Sequence, residues 1–309
     1  MTLDEFLGTW HSPSETLLVH TSGSTGTPKP LLVEKRRMLN SAKITCDFLG
    51  LKPGDTALLC MSRDYIAGKM MVVRSIERNL QLISVKPSGH PLRELMEQEE
   101  REGIAPQEIT FAAMVPMQVF NSLQAPEERE RLTHIRHLII GGGSIDPSLE
   151  AELRSLPGNI AIWSTYGMTE TLSHIALRRI NGTEASEWYQ PFDSVKVSQN
   201  AEGCLVIDAP LVCEKTLVTN DIVEIESKDS MQSSIYNPIY NKVRASGVRF
   251  RIKGRKDNVI CSGGIKIQIE EVEALLKPHL DKPFMLAKKK DEKFGEIAVL
   301  LTEDENIKK

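Results

Sequence analysis

TSGSTGTPK (Thr21–Lys29) spends nearly all of its positions on Gly, Ser and Thr before it ends on Pro28 and Lys29. Three structures are compatible with its composition. One is a plain surface turn. A second is the nucleotide loop G-x-x-x-x-G-K-[ST], which needs glycine directly before lysine and a Ser/Thr hydroxyl for magnesium on a starting helix. Pro28 separates the last glycine from Lys29, and Pro30 follows the lysine, so that pattern fails. The third is a different phosphate-holding loop. Gly23 and Gly26 permit backbone that aims N–H groups at one anion. Thr21, Ser22, Ser24 and Thr25 add hydroxyl donors, and Lys29 adds a full charge.

Outward from the loop, the chain alternates between two periods. ETLLVH (15–20) ends at the loop as a short buried strand, and PLLVEK after it reads as a second strand. Met38, Leu39, Ala42, Thr45, Cys46 and Leu49 recur at helical spacing until Gly50 stops them. DTALLCM (55–61), HLIIGGG (137–143) and NIAIW (159–163) are strand-like, while Asp146-Pro147 opens a helix carrying Leu149, Leu153 and Leu156. The alternation predicts an α/β core with ligands at the carboxyl ends of its strands. CLVIDAP, TLVTNDIVEIE and VRFRI predict a β-rich layer beyond it, with residues 229–247 as a polar, exposed excursion. After GRKDN come VIC, a Ser-Gly-Gly turn, the alternating Ile265, Ile267 and Ile269, and a helix with Val272, Leu275 and Leu276. The predicted boundary lies at Lys256-Asp257, dividing a core domain (1–256) from a small α+β domain (257–309) that reads as incomplete.

Bulk composition narrows the function classes. The 309 residues suit about two domains with a core that needs no disulfides. A net charge of −4, with 40% hydrophobic and 26% charged residues, gives no reason to expect nucleic acid. No apolar run reaches membrane-spanning length, and the start shows no secretory leader. Five widely spaced cysteines without a C-x-x-C pair read as free thiols in a reducing compartment, so the expected location is the cytoplasm. An oligomer is left open.

With its order and flanks included, TSGSTGTPK resembles the phosphate loop of the adenylate-forming superfamily of acyl-CoA synthetases, luciferases and peptide-synthetase adenylation domains. Further stretches match in the family's order: GGGS (141–144), STYGMTET (164–171), TNDIV (219–223), GRKDNVICSGGIKI (254–267) and KKDEKFGE (289–296). Within the superfamily, YGMTETLSHIAL and TNDIV most resemble the o-succinylbenzoate–CoA ligases of menaquinone biosynthesis. The resemblance implies a large multilayer α/β domain, here with most of the usual N-terminal subdomain lacking, and a small α+β C-terminal domain. It implies two half-reactions: an acid is activated by ATP as an acyl-adenylate, and coenzyme A then displaces AMP. ATP, Mg²⁺, coenzyme A and a small carboxylic acid are the implied ligands.

The same resemblance distributes roles over residues. Thr21, Ser22, Gly23, Ser24, Thr25, Gly26 and Lys29 would hold phosphates, and Thr169 would contact the α-phosphate. Glu170 would bind Mg²⁺, a hard cation that prefers oxygen ligands. Tyr166 and Gly167 would lie near the adenine beside Gly141, Gly142, Gly143 and Ser144. Asp221 would accept from the ribose hydroxyls, and Arg255 would donate to ribose or phosphate. Asp257 would be the hinge between half-reactions, with Gly263 and Gly264 along the pantetheine path. Tyr65, Gly68, Lys69, Ser173 and His174 would surround the acid, Gly68 giving an aromatic ring room. Residue by residue, plainer readings stand beside these: a core tyrosine, a turn-forming Asp221, a solvated Glu170, a hairpin at Gly263-Gly264, a salt-bridged surface lysine and a satisfied histidine.

Three departures bear on the chemistry. Tyr65 stands where the family often has histidine. Only 20 residues precede Thr21, so the pocket wall and part of the core are expected to be built differently or contributed by a neighbouring subunit. The family's adenylation lysine, in a Gly-Lys context, has no counterpart in DENIKK at the end, so either a further tail carries it, the reading preferred here, or the first half-reaction lacks its usual cation. A carrier-loading adenylation enzyme and a non-catalytic AMP- or CoA-ester-binding homologue are the alternatives.

Overall fold

The structure, a computed structural model, describes residues 1–20, 30–226, 247–262, 265–304 and 307. The phosphate-loop segment 21–29, the excursion at 229–246, Gly263-Gly264 and the last lysines lie outside them. The described chain falls into two compact units. The first takes Met1–Lys196 and Ala209–Lys215, the second Val197–Asp208 and the described residues from Thr216 onward.

In the first unit the elements run α1 (Leu3–Trp10), β1 (Thr16–His20), β2 (Pro30–Glu34), α2 (Lys35–Leu49), β3 (Thr56–Leu59), α3 (Ile66–Arg78), β4 (Gln81–Ser84) and α4 (Pro91–Glu102). They continue with β5 (Phe111–Met114), α5 (Pro116–Gln124), α6 (Pro126–Thr133), β6 (His137–Ile140), α7 (Pro147–Arg154), β7 (Ala161–Gly167), β8 (His174–Arg179) and β9 (Gln190–Pro191). β1 and β2 form an antiparallel pair with His20 opposite Pro30, the strand ends that flank residues 21–29. A seven-stranded sheet in the order β4-β3-β5-β6-β7-β8-β9 forms the centre. Its strands from β4 to β7 are parallel, and β8 and β9 add antiparallel neighbours.

Burial explains the sequence pattern. β5 is buried at all four positions, as a central parallel strand with both faces covered should be. Leu58, Ala112, Met114, Leu138, Ile140 and Ile162 project from alternate strand positions into one cluster with Leu95 of α4, Val119 of α5, Leu132 of α6 and Leu153 of α7. α2 buries Met38, Ala42, Thr45, Cys46 and Leu49 along one stripe and ends where Gly50 turns left-handed at φ 66°. α7 begins as expected, with the Asp146 side chain accepting from the Ser148 N–H at 2.8 Å ahead of Pro147.

The second unit holds two four-stranded sheets. β10 (Lys196–Gln199), β11 (Cys204–Asp208), β12 (Leu217–Glu226) and β13 (Arg249–Arg255) follow one another in the first. The second has the order β15-β14-β17-β16, from β14 (Val259–Ser262), β15 (Ile265–Gln268), β16 (Phe284–Asp291) and β17 (Gly295–Thr302), with α8 (Ile269–Leu276) between β15 and β16. The expected boundary at Lys256-Asp257 lies between these two sheets, inside the unit, and we keep it as a proposed division. Ile269 does not extend the strand alternation. It opens α8, whose Leu275 is 72% exposed and which buries no residue fully. Among the described residues, no helix is long and apolar enough to cross a membrane.

Candidate active site

Four parallel strands, β3, β5, β6 and β7, end at one edge of the central sheet, and the candidate residues of the first unit gather there. Gly141–Ser144 follow β6, and Tyr166 and Gly167 close β7, its immediate neighbour. Tyr65, Gly68 and Lys69 come after β3, and Ser173-His174 lead into β8, where Gly167 lies opposite His174. Residues far apart in sequence are thus collected by strand order at the carboxyl edge, where open α/β sheets bind ligands.

The loop after β6 is exposed at Gly142, Gly143 and Ser144, and Gly142 takes φ 82°. A Cβ on Gly141 would run into Thr165 Oγ1 of the next strand, so glycine lets the loop lie against β7. A Cβ on Gly167 would meet the Ser173 carbonyl and the His174 Cα. Between them runs a tight turn. Thr169–Thr171 form one 3₁₀ turn, and the Met168 N–H donates to Thr171 Oγ1 at 3.0 Å. Leu172 takes φ 66°, a costly value for a buried non-glycine residue. Within this turn Thr169 is buried, while Glu170 projects into solvent without a hydrogen-bond or ion-pair partner among the described residues.

The expected acid-binding residues divide. Tyr65 is 56% exposed at the start of α3. A Cβ on Gly68 would strike the Ser62 carbonyl, so its missing side chain serves a close backbone approach within the fold. Lys69 is not at the surface, and among the described residues it is not salt-bridged to an acid. It is buried, its ammonium donates to the Asp64 carbonyl at 2.9 Å, and desolvation lowers its pKa against the opposing pull of Asp64. Ser173 and His174 join a residue that sequence reading missed, Arg74. Its Nη2 donates to Ser173 Oγ at 2.5 Å, and Ser173 Oγ lies 3.2 Å from His174 Nδ1. His174 Nε2 lies 3.0 Å from Thr45 Oγ1, whose own proton goes to the Ser41 carbonyl at 3.1 Å. This donor order places a proton on Nε2. Burial, reinforced by Arg74, holds the His174 pKa well below its usual 6.5.

Arg74 itself is 2% exposed, and burial brings its pKa down to about 10, with Cys46 opposing. Its Nε has no hydrogen-bond partner, and no carboxylate pairs with it among the described residues. A signal was present in MMVVRSI: a lone cation inside an apolar helical run.

In the second unit, Asp221 of β12 and Arg255 of β13 are direct cross-strand partners. Asp257 stands in the 3₁₀ turn after β13, and its Oδ2 accepts from Arg255 Nη2 at 3.3 Å and from Asn220 Nδ2 at 3.2 Å. Asp221, expected at the ribose, Arg255, expected at ribose or phosphate, and Asp257, expected at the hinge, are therefore neighbours.

The family model of AMP-binding enzymes matches residues 10–206. This chain belongs to the AMP-binding enzyme family. Family membership fits the site, since the matched residues contain the whole carboxyl edge just described. The chain is 25% identical over 298 residues to 2-succinylbenzoate–CoA ligase of Bacillus cytotoxicus, a match covering 91% of this chain and 58% of that protein. It is 26% identical over 167 residues to a plipastatin synthase polypeptide of Bacillus subtilis, covering 54% of this chain and 6% of the synthase. Among solved structures, the acyl-CoA synthetase (AMP-forming)/AMP-acid ligase II-like protein of Dyadobacter fermentans shares 31% identity at a TM-score of 0.68, covering 97% of this chain and 78% of that one. The expected adenylate-forming fold is the fold observed. The chain spans 58% and 6% of the two curated relatives, under two thirds of either.

Proposed function

We propose that the chain activates a carboxylic acid with ATP and passes it to coenzyme A, and that the acid is an aromatic keto-diacid of the o-succinylbenzoate type. A carboxylate oxygen attacks the α-phosphorus of ATP and pyrophosphate leaves. The coenzyme A thiol then gives up its proton, attacks the acyl carbon and releases AMP. An anion approaching a polyanion needs charge neutralisation and positioning above all. Lys29 and its loop, Thr169, Asp221 and Arg255 are the groups we assign to the nucleotide, with Asp257 as the hinge and Gly263-Gly264 at the pantetheine path.

Mg²⁺ suits the donors present. Among the described residues no group of three or more His, Cys, Asp or Glu could form a protein cage, and Glu170 offers a free, exposed carboxylate. That combination fits an ion held largely by phosphate oxygens, whose charge it would offset.

Arg74 carries the choice of acid. A buried guanidinium without an acid partner is costly unless an anion neutralises it. A diacid uses one carboxylate for activation and brings a second for this cation, beside Ser173. The test is a panel of carboxylic acids assayed for ATP- and CoA-dependent AMP release. o-Succinylbenzoate should outrank monoacids, and Arg74→Ala should cost on the order of 10- to 100-fold in kcat/KM for the diacid. Pyrophosphate release with fatty acids and none with o-succinylbenzoate would refute the substrate. The similarity to plipastatin synthase favours one second reading, loading of a carrier protein, which mass spectrometry of products formed with free coenzyme A separates.

A further inference from the structure

We infer that Tyr189, clamped by Arg178 and Glu150, is a positioning residue that sets the purine platform formed by Tyr166 and the loop 141–144; this rests on the nucleotide role proposed for those two elements. Tyr166 and Ser164 are buried on the same face of β7, two residues apart. Tyr189 spans both. Its hydroxyl lies 2.8 Å from Ser164 Oγ, and its ring meets the Tyr166 ring edge-on, with centroids 5.9 Å apart and planes at 61°. Both tyrosines are 8% exposed. With the hydroxyl end pinned and the ring edge in contact, Tyr166 cannot tilt without displacing Tyr189.

Tyr189 is held in turn. The Arg178 guanidinium lies 5.4 Å from its ring centroid. Arg178 sits opposite Ser164 across the β7–β8 ladder and donates through both terminal nitrogens to Glu150, at 2.9 and 2.5 Å. Glu150 belongs to the first turn of α7, the helix that starts directly after Gly141–Ser144. One chain of contacts therefore locks the loop's helix, β8 and the Tyr166 ring together from behind the edge where the base would lie. A fork of this kind is not needed to hold α7 on the core, since Leu149 and Leu153 are already buried there.

ATP is titrated calorimetrically into the full chain as wild type, Tyr189→Leu, Tyr189→Phe, Arg178→Lys and Glu150→Gln, with thermal unfolding and steady-state kinetics on the same samples. Tyr189→Leu should weaken ATP binding and raise its KM by about three- to ten-fold, leaving kcat and the KM for the acid within about two-fold. Tyr189→Phe, which keeps the ring and its cation but loses the pin to Ser164, should recover only part of that loss. Arg178→Lys and Glu150→Gln should weaken ATP in the same direction without altering the acid. Folded variants that melt earlier yet bind ATP as wild type does would show a merely structural cluster and overturn the inference. A wild type that binds no ATP overturns the proposed nucleotide site, and this inference with it.

Discussion

Burial keeps His174 neutral, and that has a thermodynamic consequence. Its folded pKa lies below the unfolded value of 6.5, so in the interval between them the unfolded chain holds more protons and stability rises with pH. His137 has the same sign: burial, with Arg136 and Arg179, pushes its pKa down to about 4. The melting temperature should therefore fall as pH drops from 7 to 5, and His174→Asn should show a smaller drop across that interval. Equal slopes for the two proteins would contradict the assignment. At Gly167 the argument is steric. Gly167→Ala places a Cβ against the Ser173 and His174 backbone, which cannot rotate away, so a loss of about 1–3 kcal/mol in urea unfolding is expected, with falling activity as the turn shifts. Ser173 and His174 were legible from the wording of one motif. Arg74, which joins them, was not, because helical spacing shows which positions share a face and not which partner waits across it.

The start of α7 couples stability to the candidate site. Asp146→Ala removes a cap on the helix that follows Gly141–Ser144, and should cost about 1 kcal/mol. It should also raise the KM for ATP if the loop is an adenine contact; an unchanged KM beside a lowered melting temperature would separate the cap from the site. Strand and helix order were readable because β5 and β6 are continuous apolar runs and α2 keeps one buried stripe. Pairing was a different matter. Asp221 and Arg255 are cross-strand neighbours although the residues 227–246 intervene, and nothing in the strand sequences specifies that register. α8 shows a related limit. The helix itself was expected from Val272, Leu275 and Leu276, but spacing does not say what covers a face, and none of its residues is fully buried.

The central sheet and the sheet beyond Asp257 differ in how much core they own. The central sheet is packed by helices through continuous buried residues, whereas beyond Asp257 only Ile260 and Leu286 are buried among the described residues. Amides of β5, β6 and β7 should therefore exchange hydrogen orders of magnitude more slowly than those of β14–β17. Equal protection in both would count against this uneven stability. What the sequence determined alone was local: the Gly/Ser/Thr loop's chemical character, the alternating periods, the caps at Asp146 and Gly50, and the family motifs in order. Those follow from each residue's own backbone freedom, hydrogen-bonding groups and hydrophobicity. Tertiary structure decided that four strand ends share one edge, that Gly68 and Gly167 are steric necessities, and that Arg74 lies buried against Ser173. These depend on which strands become neighbours and which backbones touch, and such distances exist only once the chain has packed.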